Sequence, residues 1–352
     1  MYLSHFKLVL CCALFYSCGT NSKFDNSTEL PVETEQNEET EEQEREPENS
    51  QEVTQEVDWK EIPVPANAGT DMIWEFQEMS DNFEYQSPAD NKGDDFLEKW
   101  DDFFHNQWGG PGLTEWKREH SQVLDGQLQM WATRKPGSDK INMGCITSKN
   151  RVIYPVYIEA KAKVMNSTLA SDVWLLSPDD TQEIDILEAY GADYSDSAQK
   201  EQSYFAERVH ISHHVFIREP FQDYQPKDAG TWFHDGTVWN KAFHTYGVYW
   251  KNPWYLEYYI DGVLVRTVSG KDTIDPEFFT NTTDPGNKDL DTRTGLSKEM
   301  DIIINTEDQT WRSTPLSGLQ SETYTPTDKE LEHIENNTFK VDWIRIYKPV
   351  EK

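Results

Sequence analysis

From residue 58 onward the chain alternates short apolar runs with clusters of Gly, Asn, Asp and Pro. Runs rich in Val, Ile, Tyr, Phe and Trp and bounded by turn residues read as β-strands. They occupy residues 126–132, 156–164, 173–176, 184–189, 210–218, 244–250, 254–260, 263–268, 300–305 and 340–347. Residues 256–265 form the clearest hairpin, because Asp261-Gly262 accepts the positive φ angles of a tight two-residue turn. Helical periodicity is nearly absent. The one predicted helix covers residues 327–334 and opens with Thr327 or Asp328 as its cap. No internal repeat is visible. This many strands in one domain predict an all-β fold, a two-sheet antiparallel β-sandwich.

The pattern differs before residue 58. Residues 1–17 read as an export signal, with Lys7 ahead of the apolar run Leu8-Val9-Leu10-Cys11-Cys12-Ala13-Leu14-Phe15. That run is too short to span a bilayer. Cys18, between Ser17 and Gly19, resembles the cysteine of a bacterial lipobox, with Phe15 in place of the usual Leu. A lipid on Cys18 is therefore expected, and with it a place in the cell envelope as an outer-membrane lipoprotein facing outward. Residues 18–57 are rich in Glu, Gln, Thr, Asn and Ser, with no aromatic after Phe24. Such a tract cannot bury a core and is expected to be a disordered tether. The folded domain is expected to cover residues 58–350.

Charge narrows the partners. Of 352 residues, 32 are Lys or Arg and 64 are Asp or Glu, a formal net charge of −32. Residues 29–56 hold twelve Glu and one Arg, a net of −11, so about a third of the excess lies in the tether. The remaining field still repels nucleic acid and anionic lipid headgroups. No obligate protein partner is evident. Thirteen Trp, all between Trp59 and Trp343, exceed what such a chain usually carries. Some must serve the core. Others suit stacking on the apolar face of a sugar ring, and aromatic excess with carboxylate excess is what a carbohydrate groove needs. Of four cysteines only Cys145 lies in the folded part, so no disulfide within the domain is available.

The candidate chemistry lies in Glu183-Ile184-Asp185-Ile186-Leu187-Glu188. On a plain strand Glu183 and Asp185 share a face and Glu188 points the other way. A one-residue β-bulge near Ile186-Leu187 would bring Glu188 onto the face of the other two. Two carboxyls so placed suit a glycosidase: one attacks the anomeric carbon, the other protonates the leaving oxygen. Crowded like charges raise at least one pKa, which would keep the acid protonated. By spacing alone a solvated acidic edge or a calcium ligand set remains open. Nearby, His214 and Arg218 share a strand face with Phe216, which suits binding. His213 points away from His210 and His214, which argues against a shared metal. Glu307 lies in a loop just past an apolar strand.

The same segment resembles the active-site signature of glycoside hydrolase family 16, and its β-agarases in particular. Similar blocks are Gly110-Pro111-Gly112-Leu113-Thr114-Glu115-Trp116, Ala132-Thr133-Arg134-Lys135-Pro136-Gly137, residues 210–224, Tyr258-Tyr259-Ile260-Asp261-Gly262 and Val341-Asp342-Trp343-Ile344-Arg345-Ile346-Tyr347. The resemblance covers about residues 58–348. It implies a jelly-roll sandwich with a concave cleft, endo cleavage of β-1,4 bonds in agarose, and retention of configuration. It implies Glu183 as nucleophile, Asp185 as the assisting carboxylate and Glu188 as acid/base. It implies Trp108 and Trp174 as aromatic platforms, with Arg218 and Glu307 as polar contacts to sugar. It implies no catalytic cofactor, and one structural calcium held on the convex face by Asp342. Alternatives are a related galactanase acting on porphyran or κ-carrageenan, or a non-catalytic sugar-binding protein on the same fold.

Overall fold

The computed structural model describes residues 58–276, 293–313 and 324–352. The expected export signal, Cys18 and the tether lie outside the described residues. Each of the ten predicted runs is a strand, and the polar clusters between them turn the chain. At Asp261 and Gly262 the φ angles are 48° and 74°, both left-handed, so the hairpin between Tyr255–Ile260 and Val263–Ser269 is closed by the predicted two residues. The predicted helix shortens to Asp328–Leu331. Thr327 caps it, and Glu330 returns a bond to the Thr327 backbone in a capping box.

Two large antiparallel sheets form the jelly roll. One, here the outer sheet, runs Val263–Ser269, Tyr255–Ile260, His244–Asn252, Val156–Lys163, Thr338–Glu351, Gln127–Trp131, Ser121–Leu124, with Met72–Phe76 also paired to Thr338–Glu351. The other, the cleft sheet, runs Phe221–Tyr224, Val209–Arg218, Gln182–Ala189, Ala170–Leu176, Asp301–Glu307, Cys145–Ser148, Trp100–Asp101, with Trp232–Phe233 added beside Val209–Arg218. Inward side chains of both sheets fill one core: Ile184, Leu187, Ile211, Ile302 and Ile304 from the cleft sheet meet Ile158, Val248, Leu256, Val341 and Ile344 from the outer one.

The outer sheet is covered on its far side as well. Tyr157, Tyr249, Tyr259 and Tyr347 form a second apolar cluster there with Val64, Ala66, Trp74 and Phe76. A buried ion pair fastens the covering strip. Arg345 and Glu159 face each other across the strands, with Nε 2.7 Å from Oε2, while Arg345 Nη1 donates to the Ile62 carbonyl at 2.5 Å. Charges at 1% and 2% exposure are tolerable only when paired this closely. With its rear closed off, the molecule leaves the far face of the cleft sheet for function.

Candidate active site

Strand Gln182–Ala189 lies between Ala170–Leu176 and Val209–Arg218, and both neighbours record the same irregularity. Trp174 pairs with Asp185 but Val173 with Leu187, so Ile186 has no counterpart. Opposite, Asp185 pairs with Ser212 and Glu188 with His210, three steps against two. The bulge therefore falls at Ile186, where the carboxylate spacing predicts it. Ile186 and Leu187 both enter the core. Glu183, Asp185 and Glu188 all emerge on the cleft face, with side chains 16%, 9% and 17% exposed. Were these residues to alternate strictly, with no bulge, Glu188 would point into the core and Leu187 into the cleft.

Each carboxylate has a distinct setting. His210 Nδ1 lies 2.6 Å from Glu188 Oε2, and the Tyr190 hydroxyl donates to Oε1, so both oxygens of Glu188 are held. His214 Nε2 lies 3.7 Å from Glu183 Oε1 and 3.5 Å from Asp185 Oδ2, while its Nδ1 meets Asp223 at 2.7 Å. Asp185 Oδ2 has no hydrogen-bond partner among the described residues. On the other flank Trp174 Nε1 donates to Asn305 Oδ1 at 2.6 Å, and Asn305 Nδ2 donates to Asp172 at 2.9 Å and to Glu307 at 3.1 Å. Beyond His210 the cleft opens into a cavity of about 550 Å³ bounded by Tyr204, Arg208, Lys227, Thr231 and Trp232.

Five acids on one face cannot all ionise cheaply. Burial, then the charge of Asp185, holds the Glu183 carboxyl well above its ordinary range. Burial likewise raises Asp185, and it raises Asp172 with help from Glu307. Burial and the Glu188 charge push Glu307 up to about 8. Burial alone would lower His214, but Glu183, the bond to Asp223 and Asp185 push it up to about 10. Glu188 runs the other way. Burial would raise it, but His210 and then Tyr190 bring it below the ordinary value. The crowding expected from sequence thus raises several carboxyls, but not the one expected to be the acid, because that one has two donors.

Over residues 74–349 the chain matches a family profile described as the GH16 domain of β-porphyranases A–D. The chain belongs to glycoside hydrolase family 16. It is 78% identical to β-agarase B of Zobellia galactanivorans over 353 residues, covering all of both chains. It is 52% identical to the β-agarase AgaA of Microbulbifer thermotolerans over 84% of this chain and 64% of that one. A crystal structure of inactivated mutant β-agarase B in complex with agaro-octaose matches with a TM-score of 0.81 at 82% identity, over 84% of this chain and 100% of that one.

The other sequence-predicted residues fall around this family 16 site. Trp174 shares a face with Asp185, its register partner. Trp108 is 48% exposed and reaches Trp174 through Phe104, with ring centroids 5.7 and 6.1 Å apart. His214 stacks on Phe216 at 5.3 Å, and the Arg218 guanidinium lies 5.0 Å over the same ring, so the row His214-Phe216-Arg218 continues the cleft face. Glu307 is not in a loop: it ends strand Asp301–Glu307, is 8% exposed and accepts bonds from Asn305 and Gln309. His213 is fully buried and bonds the Ile274 carbonyl at 3.1 Å, a structural role.

Metal ligation divides in two. Glu183, Asp185 and His214 present ligand atoms within 4.8 Å of one another, the single such group among the described residues. Asp342 instead lies 2.8 Å from the Lys161 ammonium. Its carboxylate is paired with a protein cation, and the group of ligand atoms found among the described residues does not include it. Sequence reading passed over Asp172, Tyr190, Asp223 and Asn305. Asp172 had a signal: an acid two residues before Trp174 in an apolar run must share its face. The others become visible only when strands are paired.

Proposed function

We propose that this chain is an endo-acting, retaining β-agarase that hydrolyses β-1,4-galactosidic bonds of agarose. The observation that carries the chemistry is the bulge at Ile186, which sets Glu183, Asp185 and Glu188 in one row across a cleft. Full-length identity of 78% with a β-agarase supports the substrate. Glu183 is the nucleophile: its carboxylate bonds to the anomeric carbon as the bond to the leaving oxygen breaks, and Glu188 gives that oxygen its proton. Water then attacks the same carbon, Glu188 takes the water's proton, and Glu183 leaves, so configuration is kept. The charged His214 beside Glu183 stabilises its ionised form, and Asp185 does so when it holds a proton rather than a charge. Proton affinities of the cleft side chains run against the first step, since Glu183 is the more basic. A sugar that donates hydroxyls to Glu183 and shields Glu188 from water reverses that order. Trp174 and Trp108 offer stacking surfaces, and Arg218 and Glu307 polar ones, to the flanking sugars. No metal is needed for these steps.

Azide separates the roles. With an aryl glycoside carrying a good leaving group, Glu188→Ala is expected to give the β-glycosyl azide and Glu183→Gly the α-glycosyl azide. Exchanged anomers would reverse the two assignments, and near-normal turnover in either variant would remove that residue from the mechanism. A second reading, action on porphyran, is favoured by the profile's description and by Arg208 and Lys227 at the cavity beyond His210. Product release from agarose, porphyran and κ-carrageenan gels decides between them.

The place of action belongs to the same proposal. A lipid on Cys18 and the acidic tract 18–57 would hold the enzyme at the outer membrane within reach of an insoluble polymer. Cys18→Ser is then expected to move activity from the membrane fraction to the soluble one. Wild-type protein found soluble, with no lipid mass on Cys18, would overturn the anchor.

A further inference from the structure

The buried guanidinium of Arg312 has no place in the chemistry above. Its side chain is 1% exposed, and none of its three nitrogens has a hydrogen-bond partner among the described residues. A buried charge left without a bond is among the costliest features a fold keeps, and it calls for an explanation. Aromatic faces surround it. The guanidinium carbon lies 4.0 Å from the Phe205 ring centroid, 4.6 Å from Tyr190, 5.1 Å from Tyr324 and 5.4 Å from Trp311.

One of those rings leads to the reaction centre. Tyr190 follows Glu188 by two residues, is fully buried, and donates its hydroxyl to Glu188 Oε1. Phe205 and Trp311 pack edge-on against it at 6.0 and 5.4 Å, so the ring cannot swing away from the carboxylate. A cation over a phenol ring draws charge from it and makes its O–H a stronger donor. We propose that Tyr190, backed by Arg312, is a positioning residue that fixes the Glu188 carboxyl in the cleft and favours its carboxylate form. This rests on Glu188 being the acid/base. The pair then serves the second half of the reaction, in which Glu188 must be ionised to take a proton from water. In the first half the same Glu188 must be protonated, so the strength of Tyr190's donation sets the balance between the halves.

The pH profile of kcat/KM reads this directly. Other groups facing Glu188 are Asp185 on its own strand, Asp172, His210 and His214 on the two neighbouring strands and Glu307 one strand further, and all remain in the variants tested. Tyr190→Phe removes one donor and leaves the ring packing. The alkaline limb, where the acid loses its proton, is expected to move up by about one pH unit. Arg312→Met is expected to move it the same way and Arg312→Lys to restore it. The double variant Tyr190→Phe/Arg312→Met is expected to go no further than Tyr190→Phe, because Arg312 acts through that ring. If Arg312 only fills space, Arg312→Met lowers stability with the limb unmoved, which overturns its part. Should both limbs stay in place in Tyr190→Phe, the proposal fails even if Arg312→Met cannot fold. Movement of the acid limb instead keeps the pair but makes Glu188 the nucleophile, so the role assignment and not the positioning device would fall.

Discussion

Glu307→Gln turns the charge crowding of the cleft into a measurement of stability. Glu307 is 8% exposed, and burial with the nearby Glu188 charge moves its carboxyl from an ordinary 4.5 to about 8. The folded protein therefore keeps a proton that the unfolded chain releases above pH ~4.5. Between ~4.5 and ~8 unfolding releases that proton, so stability falls as pH rises, by about 1.4 kcal/mol per unit. The whole penalty reaches about 5 kcal/mol above pH 8 if Glu307 alone holds the proton, and less if Asp172 or Glu188 shares it. Gln carries no such penalty. It does set an amide against two donors: the Asn305 amide is fixed by Trp174, but Gln309 is free to turn. That mismatch costs about 1 kcal/mol at every pH. Urea unfolding from pH 4.5 to 9 is then expected to show the variant slightly less stable at the acid end. The curves cross between about pH 5 and 6, and the variant gains by several kcal/mol at pH 9. Because the other raised carboxyls remain, the difference between the two curves isolates Glu307. A difference that stays constant with pH would refute the retained proton.

Two further outcomes follow from packing. Deleting Ile186 replaces the bulge by plain alternation, with Leu187 inward and Glu188 still on the cleft face, so turnover above the background of Glu188→Ala is expected to survive; turnover no higher than that background would contradict the register. Glu159→Ala leaves Arg345 buried without its anion, for an expected loss of about 3–5 kcal/mol in urea unfolding and faster proteolysis of residues 58–66, which Arg345 helps to hold; a loss under about 1 kcal/mol would mean that the pair does not fasten the strip.

The long strands were legible because each carries apolar residues, in a run or in alternation, between clusters of turn residues. Met72–Phe76 and Cys145–Ser148 were not, being short. Met72–Phe76 exists through its pairing with Thr338–Glu351, a partner some 270 positions away. The bulge was legible for a chemical reason: Glu183, Asp185 and Glu188 fit one face only if the alternation slips once. Glu307 was misplaced in a loop because polar neighbours on either side disguise the end of a strand. Arg312 carried no signal at all. Its surroundings, Tyr190, Phe205 and Tyr324, come from separate parts of the chain, and only their convergence makes an ordinary arginine exceptional.

What the cleft shows physically is a division of labour between neighbours of like residues. Five carboxyls share one face, and burial treats them alike, raising the proton affinity of each. The difference between them comes from donors. Glu188 has an imidazole and a phenol on its two oxygens; Asp185 has one oxygen with no partner; Glu307 has two amides, which donate without charge. Charged or polarised donors favour the carboxylate, and neutral amides do so weakly. Glu188, buried like the rest but held by His210 and Tyr190, is therefore the one member of the row whose proton affinity falls. A single strand can thus present several acids in sequence while neighbouring strands decide which of them hold protons. That is why the roles within the row rest on the strands around it, and why the azide products and the alkaline limb, rather than the spacing of the acids, are the measurements that decide them.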